Sequence, residues 1–243
     1  MTAEEVRKDI NHIANPDKAQ ILQRFFKTGP GQYGEGDIFW GIQVPHTREI
    51  VKRYRNLPLA EIGLLIADPV HEVRMAGALL LVENYKMADQ SDKERCYNFY
   101  ISQAKRFNNW DLVDLTCPQV VGAWLLDKDR KQLYDFAYSS NLWEQRISII
   151  STFYFLRKGD FKDTFETAKI LLNHPHDLIH KAVGWMLREV GKRNQNAETE
   201  FLTENDRFRK MPRTMLRYAI EKYPEDQRQA FLKKIPEATI KTT

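Results

Sequence analysis

Apolar residues recur along this chain at spacings of three and four, the period of one helix face, in segment after segment. The pattern predicts helices near 2–14, 16–27, 45–56, 59–66, 70–86, 91–107, 110–126, 129–139, 142–158, 161–173, 177–194, 197–204, 211–222 and 225–235. No segment shows convincing strand alternation. One long Gly-rich break, KTGPGQYGEGDIF at 27–39, interrupts the run. Local punctuation agrees with the periodicity. Thr2-x-x-Glu5 and Ser91-x-x-Glu94 fit capping boxes. Asn15-Pro16 and Asp68-Pro69 each read as a cap residue followed by proline in the first helical turn.

Short helices alternating with short breaks suggest a helical repeat. Five segments overlay: VRMAGALLLVENY, VDLTCPQVVGAWL, QRISIISTFYFLR, HKAVGWMLREVGK and PRTMLRYAIEKYP. Each places a polar residue before a mostly apolar helix: Arg74, Asp114, Arg146, Lys181 and Arg213, spaced 40, 32, 35 and 32 residues apart. That period suits helix pairs of the HEAT type, so the expected fold is all-α, a HEAT-like helical-repeat solenoid forming one domain over 1–243. The register residues would then line one concave face. Four of the five are basic, which would make that face a seat for a phosphate backbone. The competing reading is that these polar groups bridge adjacent helix pairs.

Composition narrows the class. With 37 basic and 33 acidic residues the formal net charge is +4, a weak pointer to an anionic partner. Two cysteines, Cys96 and Cys117, do not make a disulfide scaffold. No apolar run reaches the roughly 18 residues of a membrane span, and the N-terminus MTAEEVRKDINHIA has no signal-peptide core. A soluble, cytoplasmic protein is expected. His176 and His180 have the i,i+4 spacing of helical zinc sites, with His174 nearby, but no H-E-x-x-H and no Cys pair accompanies them. The Gly-rich break lacks the G-K-[ST] ending of a phosphate loop and reads as a flexible turn. No metal or organic cofactor is expected.

The chemistry concentrates in RFNNWDLVDL. Trp110 and Asp114 are four apart and share a helix face. Lys181 and Trp185 repeat that spacing two units on. Asp111 sits about 100° round the helix, as a cap or a supporting group. One carboxylate with indole faces can stabilise developing positive charge. It would therefore suit cleavage of a glycosidic bond through an oxocarbenium-like transition state. A cationic nucleobase is already a good leaving group and needs no general acid. Trp40, Trp124 and Trp143 lack such support and are expected in the core.

NNWDLVDL, NLWEQRISII, HKAVGWMLREVGK and FKTGPGQYGEGDIFWGIQVPHTREI resemble the corresponding stretches of the AlkD-like DNA alkylation repair glycosylases, over roughly Phe26 to Pro224. The resemblance implies a HEAT-like solenoid that cups duplex DNA. It also implies excision of cationic alkylated purines such as 3-methyladenine and 7-methylguanine. Position by position, Asp114 matches the family's catalytic aspartate, and Trp110 and Trp185 match the two tryptophans that contact the lesion's deoxyribose. Arg146 matches an arginine near the DNA backbone. Gln43, Arg74, Lys181, Arg188 and Arg213 are further candidate DNA contacts. A monomer acting on double-stranded DNA is expected. The alternative is a non-catalytic HEAT-repeat module that recognises bent or branched DNA. The basic run RFRKMPRTMLRYAIEKY, with Arg207, Arg209, Lys210, Arg213 and Arg217, is either a solvated face or a phosphate contact.

Overall fold

The structure, a computed structural model, describes residues 1–233. Helices α1 (Ala3–His12) and α2 (Pro16–Phe25) begin as their sequences announce. Thr2 and Glu5 close a reciprocal capping box, and Asn15 accepts from the Lys18 amide with Pro16 in the first turn. Then follow α3 (Val44–Arg53), α4 (Leu59–Ile66), α5 (His71–Met87) and α6 (Gln90–Gln103). Two expected caps are displaced. The carboxylate that caps α6 is Asp89, accepting from Asp92 N–H at 2.9 Å, in place of Ser91. Asp68 instead turns the chain ahead of α5: it accepts the Val70 N–H at 2.8 Å and pairs with Arg7, so the helix starts later, at His71.

The segment expected as one helix over 110–126 is divided. α7 (Trp110–Cys117) gives way to a π-helical turn over Pro118–Gly122 before α8 (Ala123–Leu125). Pro118 has no N–H to close on the carbonyl of Asp114, so the α-helical ladder cannot run on unchanged. α9 (Lys131–Ala137) and α10 (Leu142–Ser151) follow, and a break at Thr152 separates α10 from α11 (Phe153–Leu156). Beyond lie α12 (Lys162–Ile170), α13 (Asp177–Gly191), α14 (Gln195–Thr203), the short α15 (Arg207–Lys210), α16 (Arg213–Ala219) and α17 (Glu225–Leu232). α15 was not expected. Residues 234 and 235 of the last expected segment lie outside the described residues.

The fold is thus all-α. Among the described residues the β structure is confined to one parallel bridge, Ile38 to Val70, and no helix is long and apolar enough to cross a membrane. The chain divides into two compact units, Met1–Asp160 and Phe161 onward. In the first, α5 is central. It packs on α3, α4, α6 and α7, and thirteen of its seventeen residues are buried, including His71, Glu72 and Arg74. A helix covered on nearly every side explains an apolar run without a polar stripe. In the second unit, α13 packs on α12, α14 and α16.

Candidate functional site

Asn109 starts α7 and is fully buried, its side-chain oxygen accepting the Trp110 N–H at 2.8 Å. Trp110 and Asp114 then fall one turn apart, both half-buried. α7 packs on α10, which Asn141 caps by accepting from Trp143 N–H and Glu144 N–H at 2.9 and 3.1 Å. That contact brings Arg146 of α10 to Asp114. Its Nε and Nη2 donate to the two carboxylate oxygens at 2.8 and 2.7 Å. The Asp114 side chain keeps 12% of its surface exposed. Burial pushes the Asp114 pKa up and Arg146 pulls it back, with the balance left above the ordinary carboxylate value.

Trp110 is held on two sides. Its Nε1–H donates to the Tyr33 hydroxyl at 3.3 Å, and its ring stacks on Phe26 with centroids 5.2 Å apart and planes at 21°. Phe26 stacks on Phe39 at 5.0 Å, and Phe39 on His71 at 4.5 Å. His71 Nε2 lies 2.9 Å from Asp111 Oδ2, and its Nδ1 lies 3.5 Å from Asp37 Oδ2. Asp37 also accepts from Arg74 Nη2 at 2.6 Å and from the side-chain amides of Asn108 and Asn109. Burial raises the Asp37 carboxyl, but His71 and Arg74 together bring it below its ordinary range. None of Tyr33, Asp37 or His71 was singled out from sequence. All three now connect to α7 through residues far away along the chain.

The Gly-rich break is built into the fold at its end, while 30–32, 35 and 36 form an exposed turn. Asp37 and Phe39 are buried, and the next residues wrap a second carboxylate. Glu72 accepts from the backbone amides of Trp40, Gly41 and Ile42 at 3.0, 2.8 and 3.1 Å. Gln43 is exposed at the start of α3 and borders a cavity of about 300 Å³ that also touches Phe25, Phe26, His71 and Asp111.

Two basic residues of the register do not form an open ladder. Arg74 is buried and committed to Asp37 and to the carbonyls of Asp68 and Pro69, so its guanidinium is not presented as a phosphate contact. Arg146 is buried against Asp114, which makes two successive register positions one ion pair. In the second unit Lys181 pairs with Asp177 at 2.6 Å, and Arg188 pairs with Glu221. Arg213 is exposed and donates to the Leu232 carbonyl at 2.8 Å. Arg207 of the basic run is buried and bound to Glu204 and the Phe201 carbonyl. Trp185 is half-buried, its Nε1–H donating to Glu189 at 3.3 Å. Trp143 is a core residue, whereas Trp40 and Trp124 are only partly covered and lie beneath the cations of Arg7 and Lys128. Among the histidines, the His176 side chain accepts the Leu178 N–H at the start of α13, and His180 bonds the His174 carbonyl.

The arrangement in the first unit can do one thing directly. It offers a partly accessible carboxylate, balanced by a guanidinium, one turn from an immobilised indole. Residues 6–223 match the family model described as DNA alkylation repair enzyme. Among solved structures, the chain is similar to one described as a predicted DNA alkylation repair enzyme from Enterococcus faecalis. The match has 18% identity and a TM-score of 0.68, and covers 87% of this chain and 97% of that one. No curated protein matches.

Proposed function

The chain belongs to the DNA alkylation repair enzyme family, and from that premise we propose that it is a monofunctional DNA glycosylase. Its substrates would be cationic alkylated purines, 3-methyladenine and 7-methylguanine, in duplex DNA. The observation that carries this reading is Asp114, held at both oxygens by Arg146 on the helix face it shares with Trp110.

A cationic purine departs as a neutral base when its N-glycosidic bond breaks, so no protein acid is required. Positive charge then develops on the sugar, and a fixed carboxylate nearby lowers the energy of that state. Water adds to the anomeric carbon and gives up its proton, leaving an abasic site. Arg146 offsets part of the burial that raises the Asp114 pKa and fixes its two oxygens. Tyr33 and Phe26 fix the plane of Trp110, whose indole would lie along the deoxyribose. In this reading Trp185 is a further deoxyribose contact, and Gln43, Lys181, Arg188 and Arg213 meet the DNA. Arg74 and Arg146 act from inside the protein.

A second reading has its own support. A bidentate, largely buried Arg146–Asp114 pair is also what a bridge between helices looks like, and the chain would then bind DNA without cutting a bond. Release of methylpurines from methylated duplex DNA separates the two. The glycosylase reading expects release by the wild type. It further expects a fall of at least about 10²-fold in Asp114→Asn, the scale of losing one electrostatic stabiliser, with DNA binding retained. Binding without release by the wild type would establish the second reading.

A further inference from the structure

We propose that His71, clamped between Asp37 and Asp111 and stacked on Phe39, is the positioning residue that sets Trp110 in place at the start of α7. The proposal deepens the glycosylase reading and rests on it only for the activity readout below.

The geometry is a closed circuit. From Trp110 the rings of Phe26, Phe39 and His71 follow one another in roughly parallel planes, at 21°, 16° and 22°. From His71 the path returns through Nε2 to Asp111, the residue next to Trp110. Four separate elements contribute: the end of α2, the segment after it, the first residue of α5 and the first turn of α7. The Trp110 ring cannot tilt without disturbing the stack or its own hydrogen bond to Tyr33.

Both ring nitrogens of His71 face a carboxylate oxygen. A neutral imidazole carries one N–H, so its other nitrogen would point a lone pair at an anion. An imidazolium turns an N–H toward each, as a hydrogen bond at Nε2 and as a longer ion contact at Nδ1. Burial pushes the His71 pKa down, but Asp111, by charge and hydrogen bond, and Asp37 push it up further, to about 9. Arg74, on the same helix, opposes this. The charged groups facing His71 are thus Asp37 from the segment before α3, Asp111 from α7 and Arg74 from α5. The imidazolium and guanidinium balance the two carboxylates. Removing the proton leaves a net negative charge in a buried space, and the Nδ1–Asp37 contact is the one with least to hold it.

The test begins with the full-length wild type and needs no substrate. The His71 imidazole is followed by nitrogen-15 NMR across pH, with its signals identified by their loss in His71→Gln. The Trp110 indole N–H is followed in parallel and identified by Trp110→Phe. The proposal expects His71 to lose its proton near pH 9 and the Trp110 signal to shift with the same midpoint. Should His71→Gln fail to fold, Asp111→Asn breaks the same circuit and should lower the His71 midpoint and move the Trp110 signal. In base release, His71→Gln should lower kcat about 10-fold to 10²-fold at neutral pH with DNA affinity unchanged, and His71→Arg should recover most of it. A Trp110 signal that ignores the His71 titration overturns the proposal. An enzyme without base release but with the two signals coupled would overturn the glycosylase reading alone.

Discussion

Arg146 holds Asp114 by two hydrogen bonds, at 2.8 and 2.7 Å, across the contact between α10 and α7. This contact is what the competing reading of the register expects, polar groups that bridge adjacent helix pairs. Their charges cancel, which removes Arg146 from the set of cations facing a ligand and gives it control over the state of Asp114.

That control makes a pH prediction. The Asp114 carboxyl sits above its ordinary pKa, because burial outweighs Arg146. The ionised form is the one that opposes positive charge on a sugar, so base release should fall as pH drops through this raised value. The acid limb should therefore lie above the range of a solvated aspartate. Arg146→Lys keeps the charge but loses the two-pronged grip, and should move the limb to higher pH with a lower plateau. Rate–pH profiles of the wild type and variant check this. Superimposable acid limbs would mean that Arg146 does not govern the group that titrates.

The second unit contains an unrelated acid with a cost in stability. Glu198 on α14 is 1% exposed. Burial raises its pKa to about 8, with the Tyr223 hydroxyl and Arg188 acting in the opposite direction. In the unfolded chain the same group ionises near its ordinary value of 4.5. Between those two values the unfolded state gains a charge that the folded state does not accept, so stability falls as pH rises through the window and levels off above it. Glu198→Gln removes the effect and keeps an acceptor for Tyr223. The variant should melt higher than the wild type, by a margin that is larger at pH 8 than at pH 5, on the order of 2–4 kcal/mol at the upper end. A margin independent of pH, or larger at pH 5, would show that Glu198 is already ionised when folded.

Most of the helices were legible because their covered face repeats every three or four residues. The run HEVRMAGALLLVENYKM needed no polar stripe to be read as a helix, and its burial on nearly all sides explains the missing stripe. Pro118 was visible inside the apolar run of 110–126, yet the periodicity reads straight through it. Only the structure shows the widened turn that follows Asp114. Trp110 and Asp114 share a face by spacing alone. Their supports do not obey local spacing: Tyr33 is 77 residues from Trp110, and His71 is 40 from Asp111. An acid at the end of a Gly-rich break and a histidine two residues after a proline are common on solvated surfaces. Neither Asp37 nor His71 announces burial until the segment between α2 and α3 is seen folded against α5. Arg74 failed as a surface cation for the same reason, since its partner Asp37 lies in that segment.

Two glycines of this segment separate the cost of backbone conformation from the cost of space. Gly31 and Gly41 have φ of +74° and +81°, a region that L-residues enter at about 1–2 kcal/mol. Around Gly31 a Cβ would meet nothing within 4 Å. At Gly41 it would lie 2.1 Å from the Asn15 carbonyl oxygen and 2.6 Å from the Ala19 nitrogen, both backbone atoms at the start of α2. Relief would require moving α2 or the Trp40–Ile42 amides, and those amides hold Glu72. Gly31→Ala should thus destabilise by about 1 kcal/mol, and Gly41→Ala by at least about 3 kcal/mol. Urea unfolding of the two variants gives the comparison. The Gly41 variant should also disturb the Phe26 stack on Trp110, because α2 leads directly into Phe26. Equal losses of stability in the two variants would mean that the close approach of residue 41 to α2 is not maintained in solution.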